Sequence, residues 1–66
     1  MYTVETYTYE NGSNMDMIEY KDVNINIIAL DLLTNYGDWD YAAVFENDRV
    51  QCFINREGKG ADINWV

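Results

Sequence analysis

The side chains of this protein whose number and spacing suggest a chemical role are the carboxylates. The 66 residues include twelve Asp and Glu, four Lys and Arg, and no His, for a formal net charge of −8. Eight of the carboxylates lie in the first forty residues, with Lys21 as the one cation there: Glu5, Glu10, Asp16, Glu19, Asp22, Asp31, Asp38 and Asp40. A negative field concentrated in one part of a small domain favours a basic partner and repels nucleic acid. The alternative is that these carboxylates only keep an apolar-rich chain in solution.

The available nucleophiles and bases argue against an enzyme. Nucleophilic catalysis by Ser or Cys usually needs an adjacent base tuned near neutral pH. Here Ser13 lies in a predicted turn, Cys52 lies in a predicted strand, and there is no imidazole. Asp38 and Asp40 are the closest pair of carboxylates, but a catalytic pair needs burial to raise a carboxyl pKa, and these two lie on a connection expected to be exposed.

Metal, cofactor and nucleic-acid sites are also not expected. Residues 10–16 supply oxygen side chains without the spacing of a Ca²⁺ loop, and thiolate or imidazole ligands for zinc are missing. Gly58-Lys59-Gly60 lacks the preceding residues of a phosphate-binding loop. Four scattered cations do not form the basic stripe that nucleic-acid binding requires.

Length and composition indicate one folded acidic domain over residues 1–66. A content of 48% hydrophobic and 15% aromatic residues is too high for a disordered acidic tail. A domain of this size buries only about 60% of its unfolded surface, and a single cysteine cannot form an internal disulfide, so self-association is the expected stabiliser. No N-terminal signal pattern and no apolar stretch of about 20 residues is present, which predicts a cytoplasmic protein with no membrane partner.

The first half of the chain predicts a β-hairpin followed by a helix. Residues 2–9 alternate as a strand, Asn11-Gly12 favours a tight turn, and residues 15–21 return with Ile18 and Tyr20 facing inward. Residues 22–36 have helical periodicity, with Asp22 or Asn24 as N-cap and Gly37 as a left-handed residue after the helix. The predicted core stripe of the helix is Ile25, Ile28, Ala29, Leu32 and Tyr36.

The apolar surface of that helix is wider than one stripe. Leu30 and Leu33 lie beside the stripe and extend the apolar arc to about 200° at 100° per residue. One face of a small sheet is not expected to cover so wide an arc. The sequence therefore predicts a homodimer whose interface includes Leu30 and Leu33.

The second half of the chain predicts another hairpin. Residues 41–46 and 49–55 form strands around a turn at Asn47-Asp48, and residues 62–66 could add a short edge strand. The predicted buried positions are Ala43, Phe45, Val50, Cys52 and Ile54. The expected fold class is α+β, in the order ββαββ, with one helix packed on an antiparallel sheet.

Acidic and apolar residues together suggest how a protein partner would bind. Carboxylates along strands and loops can imitate DNA phosphates, and an adjacent apolar groove can hold a side chain that a DNA-binding enzyme inserts into the duplex. Trp39 and Tyr41, next to Asp38 and Asp40, are candidate interface anchors. The alternative for Trp39 is that it caps the helix end against the sheet.

Short segments of residues 2–50 resemble a known family, the small dimeric uracil-DNA glycosylase inhibitors of Bacillus phages. The segments that carry the resemblance are Tyr2-x-Val4, Asn11-Gly12-Ser13, Glu19-Tyr20-Lys21, Tyr36-Gly37 and Asp48-Arg49-Val50. In that family two acidic protomers form an apolar pocket for a leucine on the enzyme's DNA-intercalating loop, and an aromatic and an acidic helix residue contribute to binding.

Carried over by position, the resemblance places Tyr36 at the helix tyrosine of the family. Leu32 stands where the family has phenylalanine, and Leu33 stands where it has glutamate. Asp31 lies two residues before Leu33 and would replace that glutamate only if the helix rotates. The chain also continues past Val50 into a strand and tail that the family lacks.

The sequence thus predicts a non-enzymatic, phage-type DNA mimic that inhibits a basic DNA-binding enzyme, with uracil-DNA glycosylase as the leading target. An anti-CRISPR or other antidefence inhibitor of a Cas protein, and a structural or assembly protein with a merely solvating acidic surface, are the alternatives. The predicted partner-binding residues are Glu19, Asp22, Asp31, Leu32, Leu33, Tyr36, Asp38, Trp39 and Asp40.

Overall fold

The computed structural model describes residues 1–10 and 14–66, so the predicted Asn11-Gly12 turn lies outside the described residues. The elements are β1 (Tyr2–Tyr7), β2 (Asn14–Tyr20), α1 (Ile25–Asn35), β3 (Tyr41–Glu46), β4 (Arg49–Glu57) and β5 (Gly60–Trp65). The strands form one antiparallel sheet in the order β2-β1-β3-β4-β5. The predicted α+β class, with one helix on an antiparallel sheet, is confirmed, and the suggested edge strand is a full fifth strand.

Helix α1 begins at a polar cap. The Asn24 side-chain oxygen accepts a hydrogen bond from the Ile27 backbone N–H at 3.0 Å, which satisfies one of the unpaired donors of the first turn. Asp22, the other predicted cap, has a φ of 55° and precedes the helix in a left-handed conformation. The helix therefore begins after the later of the two predicted caps.

The end of α1 differs from the prediction as well. Tyr36 is extended, with a φ of −126°, and its N–H donates to the Leu32 carbonyl at 3.2 Å. Gly37 is not among the residues with positive φ, so the predicted left-handed closure is wrong. Side chains from Trp39 and Arg56 bind the carbonyls at this helix end instead.

The core lies between α1 and one face of the sheet. The helix buries Ile25, Ile28, Ala29 and Leu32. The register places Ile18, Val4, Val44 and Cys52 in one row across four strands on the facing side of the sheet, and Thr6, Ala42, Ile54 and Ile63 in the next row. Ile18 and Tyr20 pack against this core, as predicted.

Of the positions predicted to be buried, Ala43, Cys52 and Ile54 are buried and Phe45 and Val50 are half-buried, but the residues of β3 that face the helix were not predicted. Ala42 and Val44 face the helix, whereas Ala43 and Phe45 alternate to the opposite side. Ala43 is nevertheless buried, because Glu5 and Phe53 lie opposite it on the two neighbouring strands. The segment is apolar on both faces, so its alternation does not identify the inward face.

The β3–β4 hairpin has the predicted two-residue turn. Asn47 and Asp48 have φ angles of 53° and 63°, the left-handed pair typical of a type I′ turn. A bulge follows, since Val44 pairs with Cys52 but Phe45 pairs with Val50. No helix among residues 1–10 and 14–66 has the length and apolar character needed to cross a membrane.

Candidate functional site

One face of the sheet is not covered by the helix, and we call it the open face. Its side chains alternate with those of the core along every strand. Five of them form a row across the sheet, set by the register of the strands: Met17, Glu5, Ala43, Phe53 and Asn64. The other members of the open face are Thr3, Tyr7, Glu19, Tyr41, Phe45, Asn55 and Asp62.

Three tyrosines form a stacked group beside the row of Glu5. The rings of Tyr7 and Tyr41 lie 4.9 Å apart with an interplanar angle of 7°, and the Tyr9 ring lies 5.5 Å from that of Tyr41. The Tyr7 hydroxyl donates to the Glu5 carboxylate at 3.4 Å. Burial, and then the charge of Glu5, raise the pKa of Tyr7 above its ordinary value.

Two adjoining depressions cross the sheet toward the β3–β4 turn, and we call them together the acidic groove. The smaller has a volume of about 290 Å³ and is lined by Thr3, Glu5, Met17, Phe45 and Asp48. The larger has a volume of about 490 Å³ and is lined by Met1, Thr3, Glu19, Glu46, Asn47 and Asp48. Thr3 and Asp48 belong to both. Four carboxylates thus line the acidic groove, together with the apolar side chains of Met17 and Phe45.

One ion pair of the acidic groove involves the N-terminus. The Met1 amine lies 3.9 Å from a Glu46 carboxylate oxygen, and both groups are substantially exposed. Such an exposed ion pair is weak and screened by salt. The lining contains no Lys or Arg side chain.

A second acidic depression, the helix-end cleft, lies where α1 ends. It has a volume of about 470 Å³ and is lined by Thr8, Glu10, Gly37, Asp38, Trp39, Asp40 and Arg56. The Asp40 carboxylate accepts the Tyr9 backbone N–H at 2.8 Å, which ties the end of the first strand to the residues after the helix. Asp38 and Asp40 therefore line the same depression.

Trp39 and Leu32 are core residues, which corrects their assignment as partner contacts. Trp39 is 3% exposed, and its indole N–H lies 3.1 Å from the Leu32 carbonyl oxygen and 2.9 Å from that of Tyr36. In the structure Trp39 has the alternative role, because it caps the end of the helix. Leu32 is a fully buried residue of α1 and cannot line a pocket for a partner's side chain.

Arg56 belongs to the same cap and was missed by the sequence analysis. Its guanidinium donates to the Gly37 and Tyr36 carbonyls at 2.6 and 3.0 Å and lies 4.4 Å from the centroid of the Trp39 ring. Two parallel donors and a stacked aromatic ring are the geometry that suits arginine. One of the four cations is thus engaged with the backbone.

The remaining helix residues of the predicted site fall into two groups. Asp31 is half-buried and accepts hydrogen bonds from the Tyr20 hydroxyl at 2.6 Å and from the Asn35 side chain, so it is largely engaged within the protomer. Leu33 and Tyr36 are half-buried and pack against the core.

Leu30 is the exposed member of the predicted dimer interface. It is 61% exposed and, with Ile27 at 48%, borders a shallow depression of about 270 Å³ that we call the helix patch. The sheet covers more of the predicted apolar arc than expected, and this patch is what remains outside it.

The predicted acidic residues therefore separate in space. Glu19 lies in the acidic groove, Asp38 and Asp40 lie in the helix-end cleft, and Asp22 is exposed before the helix. Glu5, Glu46 and Asp48 were not predicted as site residues. The alternation of β1 and the turn at Asn47-Asp48 were signals that could have placed them near Glu19.

No family model, curated protein or solved structure matches this chain. The resemblance to the glycosylase inhibitors therefore stays a prediction. Within the part of the chain that the structure describes, no three His, Cys, Asp or Glu side chains come together in a way that could hold a metal ion.

Proposed function

We propose that this protein is a non-enzymatic, phage-type inhibitor that imitates DNA and binds a basic DNA-processing enzyme in the cytoplasm of the host cell. The observation that carries the proposal is the acidic groove. Glu5, Glu19, Glu46 and Asp48 line it, and the Met1 amine is the only cation in its lining. A groove of this charge attracts a surface that normally binds phosphates.

The positions of two groove carboxylates support the comparison with DNA. Met17 lies opposite Glu5, so Glu19, two residues further on, occupies the diagonal position on the neighbouring strand. Diagonal side chains of an antiparallel pair lie about 7–8 Å apart. Adjacent phosphates of one DNA strand, which are offset along the axis and also wound around it, are separated by a comparable distance.

Uracil-DNA glycosylase is the leading target, and this choice rests on the resemblance of residues 2–50. A homodimer through Leu30 and Leu33 belongs to the same proposal, since Leu30 is exposed and Leu33 lies beside it at the edge of the core. Leu32 no longer belongs to the proposed binding surface.

The test is to measure association and dissociation rates of the protein with purified uracil-DNA glycosylase at several salt concentrations. Electrostatic steering predicts fast association that slows steeply as salt is added. Glu19→Gln should lower the association rate more than Glu57→Gln, a matched neutralisation at the end of β4 and outside the acidic groove.

Absence of a complex even at low salt would discard the glycosylase as target. Recovery of a Cas subunit in a pull-down from host cells would favour the antidefence alternative. An interaction that is insensitive to salt and to every neutralisation would favour a structural protein with a solvating acidic surface.

A further inference from the structure

The open face has no covering element among the described residues, although it carries large apolar side chains. Met17 is 66% exposed and Phe53 is 37% exposed, while Tyr7, Tyr41 and Phe45 are half-buried. Aromatic side chains that are already ordered lose little entropy on binding, and they dominate the energetics of protein interfaces. The stacked tyrosines are such a set, because the ring of Tyr41 stacks with those of Tyr7 and Tyr9.

The charge of this face limits what can bind to it. Glu5 lies in the central row between Met17 and Ala43, and the acidic groove continues from Glu5 to Asp48. Exposed aromatic rings can also stack on bases of single-stranded nucleic acid, but the carboxylates beside them repel its phosphates. A second copy would bring the same carboxylates of two protomers together, which is unfavourable.

A cationic side chain can interact with both the aromatic rings and the carboxylates of the open face. The electron-rich face of an aromatic ring attracts a cation, and a carboxylate beside it adds a charge-assisted hydrogen bond. Arginine fits better than lysine, since its planar guanidinium stacks on a ring and can bind a carboxylate through two parallel donors.

We propose that the open face docks an arginine-bearing segment of the protein's basic partner, with guanidinium groups stacked on Tyr7, Tyr41 and Phe45 and paired with Glu5 and the acidic groove. This inference rests on the proposed function, and it places the partner on the sheet face opposite α1. The helix residues of the sequence-based site then lie outside the contact.

The first experiment uses a nona-arginine peptide as the probe and follows the backbone amide signals of the ¹⁵N-labelled protein at low salt. The largest shifts should fall on β1, β3 and the β3–β4 turn. A nona-lysine peptide of equal charge should bind about two- to fivefold more weakly, because an ammonium cannot stack flat on a ring or bind a carboxylate through two parallel donors. Equal affinity for the two peptides, or shifts centred on α1, would overturn the inference.

Variants with matched controls complete the test. Tyr41→Leu should reduce the preference for arginine, and Glu5→Gln should weaken binding of both peptides. Trp65→Leu removes an exposed aromatic ring from the other side of the sheet, and Glu57→Gln removes one charge outside the acidic groove, so neither should change the arginine preference. The same amide spectra show whether each variant is folded.

Binding to the glycosylase separates this inference from the proposed function. If the peptides bind the open face but the glycosylase does not bind, the docking surface stands and the target is wrong. If the glycosylase binds with the same rates to Tyr41→Leu, Glu5→Gln and the unmodified protein, the function stands and the docking surface is wrong.

Discussion

The Tyr20 hydroxyl and the Asp31 carboxylate join the edge strand β2 to the helix through a 2.6 Å hydrogen bond. Burial, and then this hydrogen bond, raise the pKa of the Tyr20 phenol well above its ordinary value near 10. Asp31, which the sequence predicted to contact a partner, therefore has a structural role within the protomer.

We expect this pair to make stability fall at alkaline pH. The unfolded chain loses the Tyr20 proton near pH 10, whereas the folded protein keeps it, so the free energy of unfolding decreases as pH rises above about 10. Tyr20→Phe should cost about 1 kcal/mol at neutral pH and make this alkaline decrease shallower. Urea unfolding at neutral and alkaline pH measures both effects. An alkaline decrease of the same steepness in Tyr20→Phe would contradict the assignment.

Of the four Lys and Arg side chains, Arg56 should contribute most to the free energy of unfolding. Arg56→Met removes two hydrogen bonds to helix-end carbonyls and the contact with Trp39, at a cost of about 2 kcal/mol. Arg56→Lys should recover at most half of that, because an ammonium cannot reproduce the planar, two-donor geometry. Arg49→Lys, at an exposed position, serves as the control and should change stability by less than about 0.5 kcal/mol. If Arg56→Lys is as stable as the unmodified protein, only the positive charge at this position is required for stability.

At the scale of elements, the β3–β4 turn combines local strain with a binding role. Asp48 has a φ of 63°, where glycine is the preferred residue of a type I′ turn, so Asp48→Gly should stabilise the fold by about 0.5 kcal/mol. The same change removes a carboxylate from the acidic groove and should weaken partner binding. Thermal unfolding and binding kinetics of the one variant test both effects.

Asn47→Gly is the matched variant of that experiment, because it changes the turn without changing the charge. It should leave the salt dependence of binding as it is. Weaker binding by Asn47→Gly and Asp48→Gly alike would assign the effect to the turn's conformation and not to the carboxylate.

The elements themselves were largely predictable. Period-two alternation, the cap at Asn24 and the turn residues Asn47-Asp48 are local signals, and each produced the expected strand, helix or turn. The end of the helix was not predictable, because Trp39 and Arg56 close it from three and twenty residues beyond Tyr36. The inward face of β3 was not predictable either, since Ala42 and Ala43 are equivalent until a neighbouring element covers one of them.

At the scale of the molecule, we expect a homodimer through the helix patch. Leu30→Asp should give monomers, because a charge within an apolar interface is costly to desolvate. Met17→Asp, at a similarly exposed position on the open face, should remain dimeric. Leu33→Asp is a poorer test than Leu30→Asp, since Leu33 also packs against the core. Sedimentation of the unmodified protein as a monomer at micromolar concentration would contradict the dimer.

By itself, the sequence determined the class of the fold, the net charge and its concentration in the first forty residues, and the burial of Cys52, whose pKa is raised by that burial. These properties follow from composition and from patterns within one element. Only the tertiary structure decided which carboxylates share a groove. Glu5, Glu19 and Asp48 come from three separate segments and meet because β1 pairs with both β2 and β3. The tertiary structure also decided that Leu32 and Trp39 are buried, since the burial of an apolar side chain depends on the surface that packs over it.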